Sequence, residues 1–409
     1  TAQDSDDPYE FPSNPVLAAP PLALRKTLIA LNPDRPELPW DAKVGRLLNG
    51  LRSPHLYIGR AVEDGAPWLL HRNLLHTHAH LLGGTGTGKT ALGLMPVGFQ
   101  LIARADASVV IIDLKGDRAM FWGAFVEAAR AKLPFRWFSI EPGCASYVFN
   151  PLTQRHEAER TVAAWAQSLL ISTGLRHGDD YGKGYFQAQS LDVFTGFLQQ
   201  FCDIRSFADF SRYAEENGSY LSTSINMDDA LHLRMVLRQL ATVASLNATD
   251  DSQPAGRKEV LEDAIDMSDV LTEKQVLYFH LPSMEEELTA TSVARLAMYA
   301  LAHAAKVAGR KRQTVPAYVI VDEAQQVLGQ HTKILLEMAR SHGVYFLLAH
   351  QSADQLKTGD YDVTSTVEAN TTFKMSFEAS SSSALRDMEA FGGMVRSKSV
   401  SWAQPIHPG

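Results

Sequence analysis

Eight consecutive residues, Gly83-Gly84-Thr85-Gly86-Thr87-Gly88-Lys89-Thr90, constrain this chain more than any other stretch. They satisfy G-x-x-x-x-G-K-[ST], with a short apolar run before them (His78 to Leu82) and a helical pattern after them (Lys89 to about Ala103). Glycines at these positions let successive backbone N–H groups turn inward, so a loop closing on a helix N-terminus becomes an anion nest. Lys89 brings a point charge for the β- and γ-phosphates of a nucleotide, and the Thr90 hydroxyl is placed to ligate Mg²⁺. A chance match in a chain of this size has a probability on the order of one per cent from average residue frequencies. These eight residues therefore read as a P-loop, with ATP and Mg²⁺ as the expected ligands.

Such a loop needs a strand in front and a helix behind, and the surrounding sequence supplies the pattern repeatedly. Val109 to Ile112 is a β-branched run ending at Asp113, a helix is predicted around Ala124 to Lys132, and Phe135 to Ile140 is apolar again. Val276 to Leu281 is stopped by Pro282, a long helix follows from about Leu288 to Val307, and Tyr318 to Val321 reads as a strand. A helix over Thr332 to Ser341 and strands over Val344 to Ala349 and Thr372 to Phe377 complete the series. This alternation implies βαβ units and a mostly parallel, buried sheet, hence an α/β fold.

From about Arg155 to Met267 the alternation stops. Val162, Trp165, Ala166 and Leu169 share one helical face, as do Leu191, Phe194, Leu198 and Phe201. At 409 residues the chain is too long for one comfortable core, and an inserted all-α domain resolves that. The expected organisation is an N-terminal wrapping arm at 1–40, rich in Pro, Asp and Ala, then the nucleotide-binding domain in two parts, 41–154 and 271–395. The all-α domain occupies 155–270 and a tail 396–409.

Tyr318-Val319-Ile320-Val321-Asp322-Glu323 is an apolar strand ending in two carboxylates. In P-loop enzymes a strand-end Asp holds Mg²⁺ through water, which assigns Asp322 as the metal residue with Thr90. Glu323 is then the catalytic carboxylate that orients the attacking water. An isolated Asp-Glu pair is usually just solvated; here it follows four apolar strand residues in a chain that has a P-loop. Gln351, at the end of the next strand, is expected to sense the γ-phosphate or the water. Arg340 closes the helix between, where a cation also suits the helix dipole on purely structural grounds.

A net charge of −8 argues against a protein that coats nucleic acid non-specifically, while leaving room for a local basic channel. Cys144 and Cys202, far apart, form neither a disulfide framework nor a zinc motif and fit a reducing compartment. No apolar run approaches the roughly 20 residues needed to span a bilayer. His76, His78 and His80 alternate, but no further ligand follows at zinc spacing. The run Arg310, Lys311, Arg312 reads as a solvated loop, with a DNA-facing role as the alternative.

With these motifs placed, the chain resembles the coupling ATPases of conjugation and type IV secretion, the VirD4/TraG/TraD family, from about residue 78 to 400. Pro96 interrupts the first helix, and Asp113-Leu114-Lys115-Gly116-Asp117 looks like the family's Asp-Pro-Lys-Gly-Glu, with Leu114 in place of proline. Asn150-Pro151-Leu152, Asp322-Glu323-Ala324, Ala339-Arg340-Ser341-His342-Gly343-Val344 and His350-Gln351-Ser352 follow the family's order and spacing. The resemblance implies a RecA-like nucleotide domain and a homo-hexameric ring with ATP between subunits, Arg340 acting in trans as a finger and Gln351 as a sensor. It also implies a DNA-stimulated ATPase that delivers single-stranded or relaxase-bound DNA, or protein effectors, to a type IV secretion channel. The location it implies is a cytoplasmic domain at the inner membrane, held through a segment absent from this chain. The rivals are a DNA translocase of the FtsK/HerA kind and an ATP-binding adaptor that recruits proteins without pumping.

Overall fold

The computed structural model describes residues 54–60, 67–141, 146–154, 204–216, 231–248, 264–284, 286–310, 315–329, 331–358 and 361–377, with a few helical positions between 166 and 200. An antiparallel hairpin comes first, β1 (His55–Arg60) with β2 (Pro67–His71). β3 (Ala79–Leu82) leads through the glycine loop to α1 (Met95–Arg104). β4 (Ser108–Asp113), α2 (Arg118–Ala131) and β5 (Phe135–Ser139) follow. In the inserted stretch α3 (Phe207–Glu216) packs on α4 (Leu231–Thr242). The chain returns as β6 (Val276–His280), α5 (Glu287–Arg310), β7 (Ala317–Asp322), α6 (Thr332–Ser341) and β8 (Val344–His350). A small pair, β9 (Lys357–Thr358) with β10 (Tyr361–Asp362), precedes α7 (Thr364–Asn370) and β11 (Phe373–Ser376).

Among the described residues, seven strands form one sheet in the order β11-β3-β8-β7-β4-β6-β5, and every neighbouring pair is parallel. All residues of β4, β6 and β7 are buried. That is why they read as unbroken apolar runs: a parallel strand covered on both faces has no polar side to alternate with. The architecture is α/β and RecA-like. The glycine-loop strand β3 and the acidic strand β7 are not neighbours; β8 lies between them.

Several boundaries differ from the expectation. α2 starts at Arg118, with the Asp117 side chain accepting the Met120 N–H as its cap. Met120, Phe121, Trp122, Ala124 and Phe125 are all buried, so its first turns lack the polar face that periodicity needs. The hairpin β1–β2 was not anticipated. It is held by tertiary contact, the Gln100 side chain of α1 accepting the Tyr57 N–H and donating to the Tyr57 carbonyl.

Asn150 and Gln154 bind together distant parts of the stretch between β5 and β6. The Asn150 amide donates to the carbonyls of Arg205 and Ala248, and Gln154 donates to Ile265 and accepts from the Met267 N–H. Outgoing and returning chain are thereby tied at one point. Of the helical faces read from the sequence, Ala166, Leu169 and Leu198 are described and buried. Val162, Trp165, Leu191, Phe194 and Phe201 lie outside the described residues, as do the arm at 1–40 and the tail at 396–409.

Candidate functional site

The glycine loop turns at the carboxyl edge of the sheet, directly after β3. Gly86 and Gly88 hold φ of 80° and 90°, the left-handed region that suits glycine. A Cβ at Gly83 would lie 2.8 Å from Thr87 Oγ1 and 2.7 Å from Phe377 Cβ, so that position also excludes a side chain. Lys89 is buried, its Nζ 3.4 Å from the Gly83 carbonyl. The first turn after the loop, Lys89–Leu94, is a π-turn in which the Met95 N–H donates to the Thr90 carbonyl. Pro96, which has no N–H to give, stands where this turn passes into α1.

Asp322 and Glu323 close β7 beside the loop, both buried. Thr90 Oγ1 donates to Asp322 Oδ2 at 2.7 Å. Glu323 adopts φ 56°, which turns its carboxylate out of the strand direction. Its Oε2 accepts from Gln351 Nε2 at 2.9 Å and from Gln325 Nε2 at 2.5 Å. Gln351 in turn accepts from Thr85 Oγ1 at 3.1 Å. Because β8 separates β3 from β7, Gln351, the residue just after β8, bridges loop and carboxylate in an unbroken hydrogen-bonded chain.

Two lysines meet these acids. Lys89 Nζ is 3.8 Å from Glu323 Oε1, and Lys115 Nζ is 2.5 Å from the same oxygen and 3.5 Å from Asp322 Oδ2. Burial by itself would raise the Glu323 carboxyl; hydrogen bonds from Lys115 and Gln325, with the two lysine charges, win and hold it below the usual value. Lys89 is pushed down, burial first, with the two carboxylates opposing. Lys115 and Gln325 were given no role from the sequence. Lys115 carried a signal in the Asp113–Asp117 motif; Gln325 carried none.

These groups suit a magnesium nucleotide. Thr90 and Asp322 are hard oxygen donors within reach of one another, as Mg²⁺ requires. A Cβ at Gly86 would meet no described residue within 4 Å, so the loop is open at that position. The same architecture occurs in solved structures. TrwBdeltaN70, a bacterial conjugative coupling protein in trigonal form in complex with sulphate, is 14% identical, with a TM-score of 0.57 over 85% of this chain and 80% of that one. The plasmid coupling protein TrwB in complex with ADP and Mg²⁺ is 15% identical, with a TM-score of 0.56 over 81% and 76%.

The chain shares the coupling-protein fold. VirB4 of Thermoanaerobacter pseudethanolicus has it too, at 14% identity and a TM-score of 0.53 over 84% and 89%. No protein-family model matches the sequence, and no curated protein matches it.

In this coupling-protein fold, Arg340 lies apart from the other expected site residues. α6 runs back from β7 to the start of β8, and the Ala317 N–H donates to the Gly343 carbonyl, so exposed Arg340 is at the amino edge of the sheet. It does not reach the loop of its own chain. The three histidines also part company. His76 stacks on Tyr345, His78 bridges the Leu336 carbonyl and the Phe346 N–H, and His80 pairs with His350 through their Nε2 atoms. Among the described residues no three of His, Cys, Asp or Glu gather as a metal site, and no helix is long and apolar enough to cross a membrane. Arg310 ends α5, while Lys311 and Arg312 lie outside the described residues.

Proposed function

We propose that this chain is an ATP-hydrolysing motor that delivers DNA or DNA-bound protein to a type IV secretion (conjugation) channel. One observation carries the hydrolytic reading: glycine loop, Thr90–Asp322 pair and Gln351–Glu323 pair converge at one edge of the sheet. Loop amides and Lys89 would bind the phosphates; Thr90 and Asp322 would hold Mg²⁺, which when bound would supply charge neutralisation for phosphoryl transfer. Glu323 accepts a hydrogen bond from the attacking water. As the water oxygen bonds the γ-phosphorus, the bond to the bridging oxygen breaks and ADP leaves; one water proton passes to the Glu323 carboxylate, which returns it to the released phosphate. Phosphoryl transfer asks mainly for positioning and charge stabilisation, which this set provides.

The coupling role is supported by the likeness to TrwB, a conjugative coupling protein whose structure with ADP and Mg²⁺ has this fold. Arg340, remote from its own loop, acts in trans on the ATP of a neighbouring subunit in a homo-hexamer, neutralising transition-state charge there. Purified protein should retain labelled ATP with Mg²⁺, and Lys89→Ala should weaken binding roughly 10- to 100-fold, the range for lost charged hydrogen bonds. Steady-state ATPase should rise with single-stranded DNA. Tight ATP binding without turnover, with DNA present, would instead mark an adaptor.

A further inference from the structure

Among the described residues, Lys115 is the one cation paired with the acidic pair that the P-loop motif does not supply. Its position is built rather than incidental. Asp113 ends β4, directly paired in register with Asp322 of β7. The Asp113 carboxylate accepts three backbone N–H groups in succession, from Lys115 and Gly116 at 3.0 Å and from Asp117 at 2.7 Å, and also the Tyr278 hydroxyl at 2.6 Å. Gly116 completes the turn at φ 72°, where a Cβ would lie 3.0 Å from His280 Nε2. A turn pinned this way has little freedom, and it returns the Lys115 ammonium across to the neighbouring strand end.

An ionised carboxylate offers about four lone-pair sites. Gln325 and Gln351 take the two on Glu323 Oε2, and Lys115 approaches Oε1. Oε1 is buried and, among the described residues, no hydrogen bond fills its lone pairs apart from the Lys115 contact, so a water enclosed with the nucleotide can donate to it. Lys89, 3.8 Å away, is the other cation near Oε1, but its reading as a phosphate ligand draws it toward the nucleotide. Among the described residues, Lys115 is then the cation left to restrain that oxygen.

We propose that Lys115 is a positioning residue for Glu323, its ammonium fixing the carboxylate so that the remaining lone pair of Oε1 meets the attacking water. The inference rests on the ATPase reading above and adds a residue to it. Lys115 acts through Glu323, not on the phosphates.

The test is a double-mutant cycle of Lys115→Met with Glu323→Gln, read as kcat and KM for ATP and, independently of turnover, as the affinity for a fluorescent ATP analogue with Mg²⁺. Lys115→Met should lower kcat by about 100-fold, at the low end of general-base contributions, and leave KM and analogue affinity within about threefold. The double variant should be no slower than Glu323→Gln alone, and Lys115→Arg should regain at least about tenfold over Lys115→Met. Losses that multiply in the double variant, or an analogue affinity weakened tenfold or more, would make Lys115 an independent phosphate ligand and overturn the proposal. Unchanged kcat would overturn it as well. If Lys115→Met fails to fold, Lys115→Gln replaces it in the same cycle with the same outcomes. Failure of the ATPase reading looks different: Glu323→Gln would then be as active as the unsubstituted protein.

Discussion

Gln351 shows how much one side chain can connect. Its amide nitrogen holds Glu323 and its oxygen accepts from Thr85 in the glycine loop, so a nucleotide that moves Thr85 is felt at the carboxylate. Gln351→Ala is expected to lower kcat by roughly 10- to 100-fold through loss of a hydrogen bond to a charged group, while ATP affinity changes by no more than about threefold. Parallel measurement of turnover and of analogue binding checks this. A drop in binding equal to the drop in turnover would show Gln351 to be a plain phosphate ligand. Thr85, Gln351 and Glu323 were each legible as isolated motif residues, but the chain of bonds joining them was not, because it crosses 266 and 28 positions of sequence.

At the scale of elements, His78 ties α6 to β8. Its Nε2–H donates to the Leu336 carbonyl and its Nδ1 accepts the Phe346 N–H, an arrangement that requires the neutral ring. Burial, assisted by Arg340 and opposed by the Leu336 bond, takes its pKa down to about 4 from 6.5. Between those values the unfolded chain binds more protons than the folded one. The stability His78 contributes is therefore whole above pH 6.5 and is lost as pH falls toward 4, by up to about 3 kcal/mol. His78→Gln, which cannot titrate, should lose less stability than the unsubstituted protein between pH 7 and pH 5 in urea unfolding. Parallel losses in the two proteins would remove His78 from the account. The sequence shows three alternating histidines; that one of them staples a helix to a strand follows only from the packing.

For the whole molecule, the decisive geometry is the opposition of two edges. The loop, Asp322, Glu323 and Gln351 gather at the carboxyl ends of the strands, and Arg340 is exposed at the amino ends. If Arg340 serves a neighbour, two inactive variants should rescue each other. Lys89→Ala mixed with Arg340→Ala is expected to recover a measurable fraction of turnover, because some interfaces pair an intact loop with an intact arginine. Mixtures as inactive as their components would return Arg340 to its plainer role as a cation at a helix C-terminus.

The short-range chemistry was determined by the sequence alone. A glycine loop, an apolar strand ending in two acids and a glutamine at the next strand end are recognisable because each motif is contiguous. Buried parallel strands announce themselves because both their faces must be apolar. Only the tertiary structure decided that β8 stands between β3 and β7, that Asp113 lies level with Asp322, and that Lys115 therefore reaches Glu323. Strand order is a matter of which surfaces bury against which. No local pattern encodes it, so contacts made across the sheet stay hidden until the strands are paired.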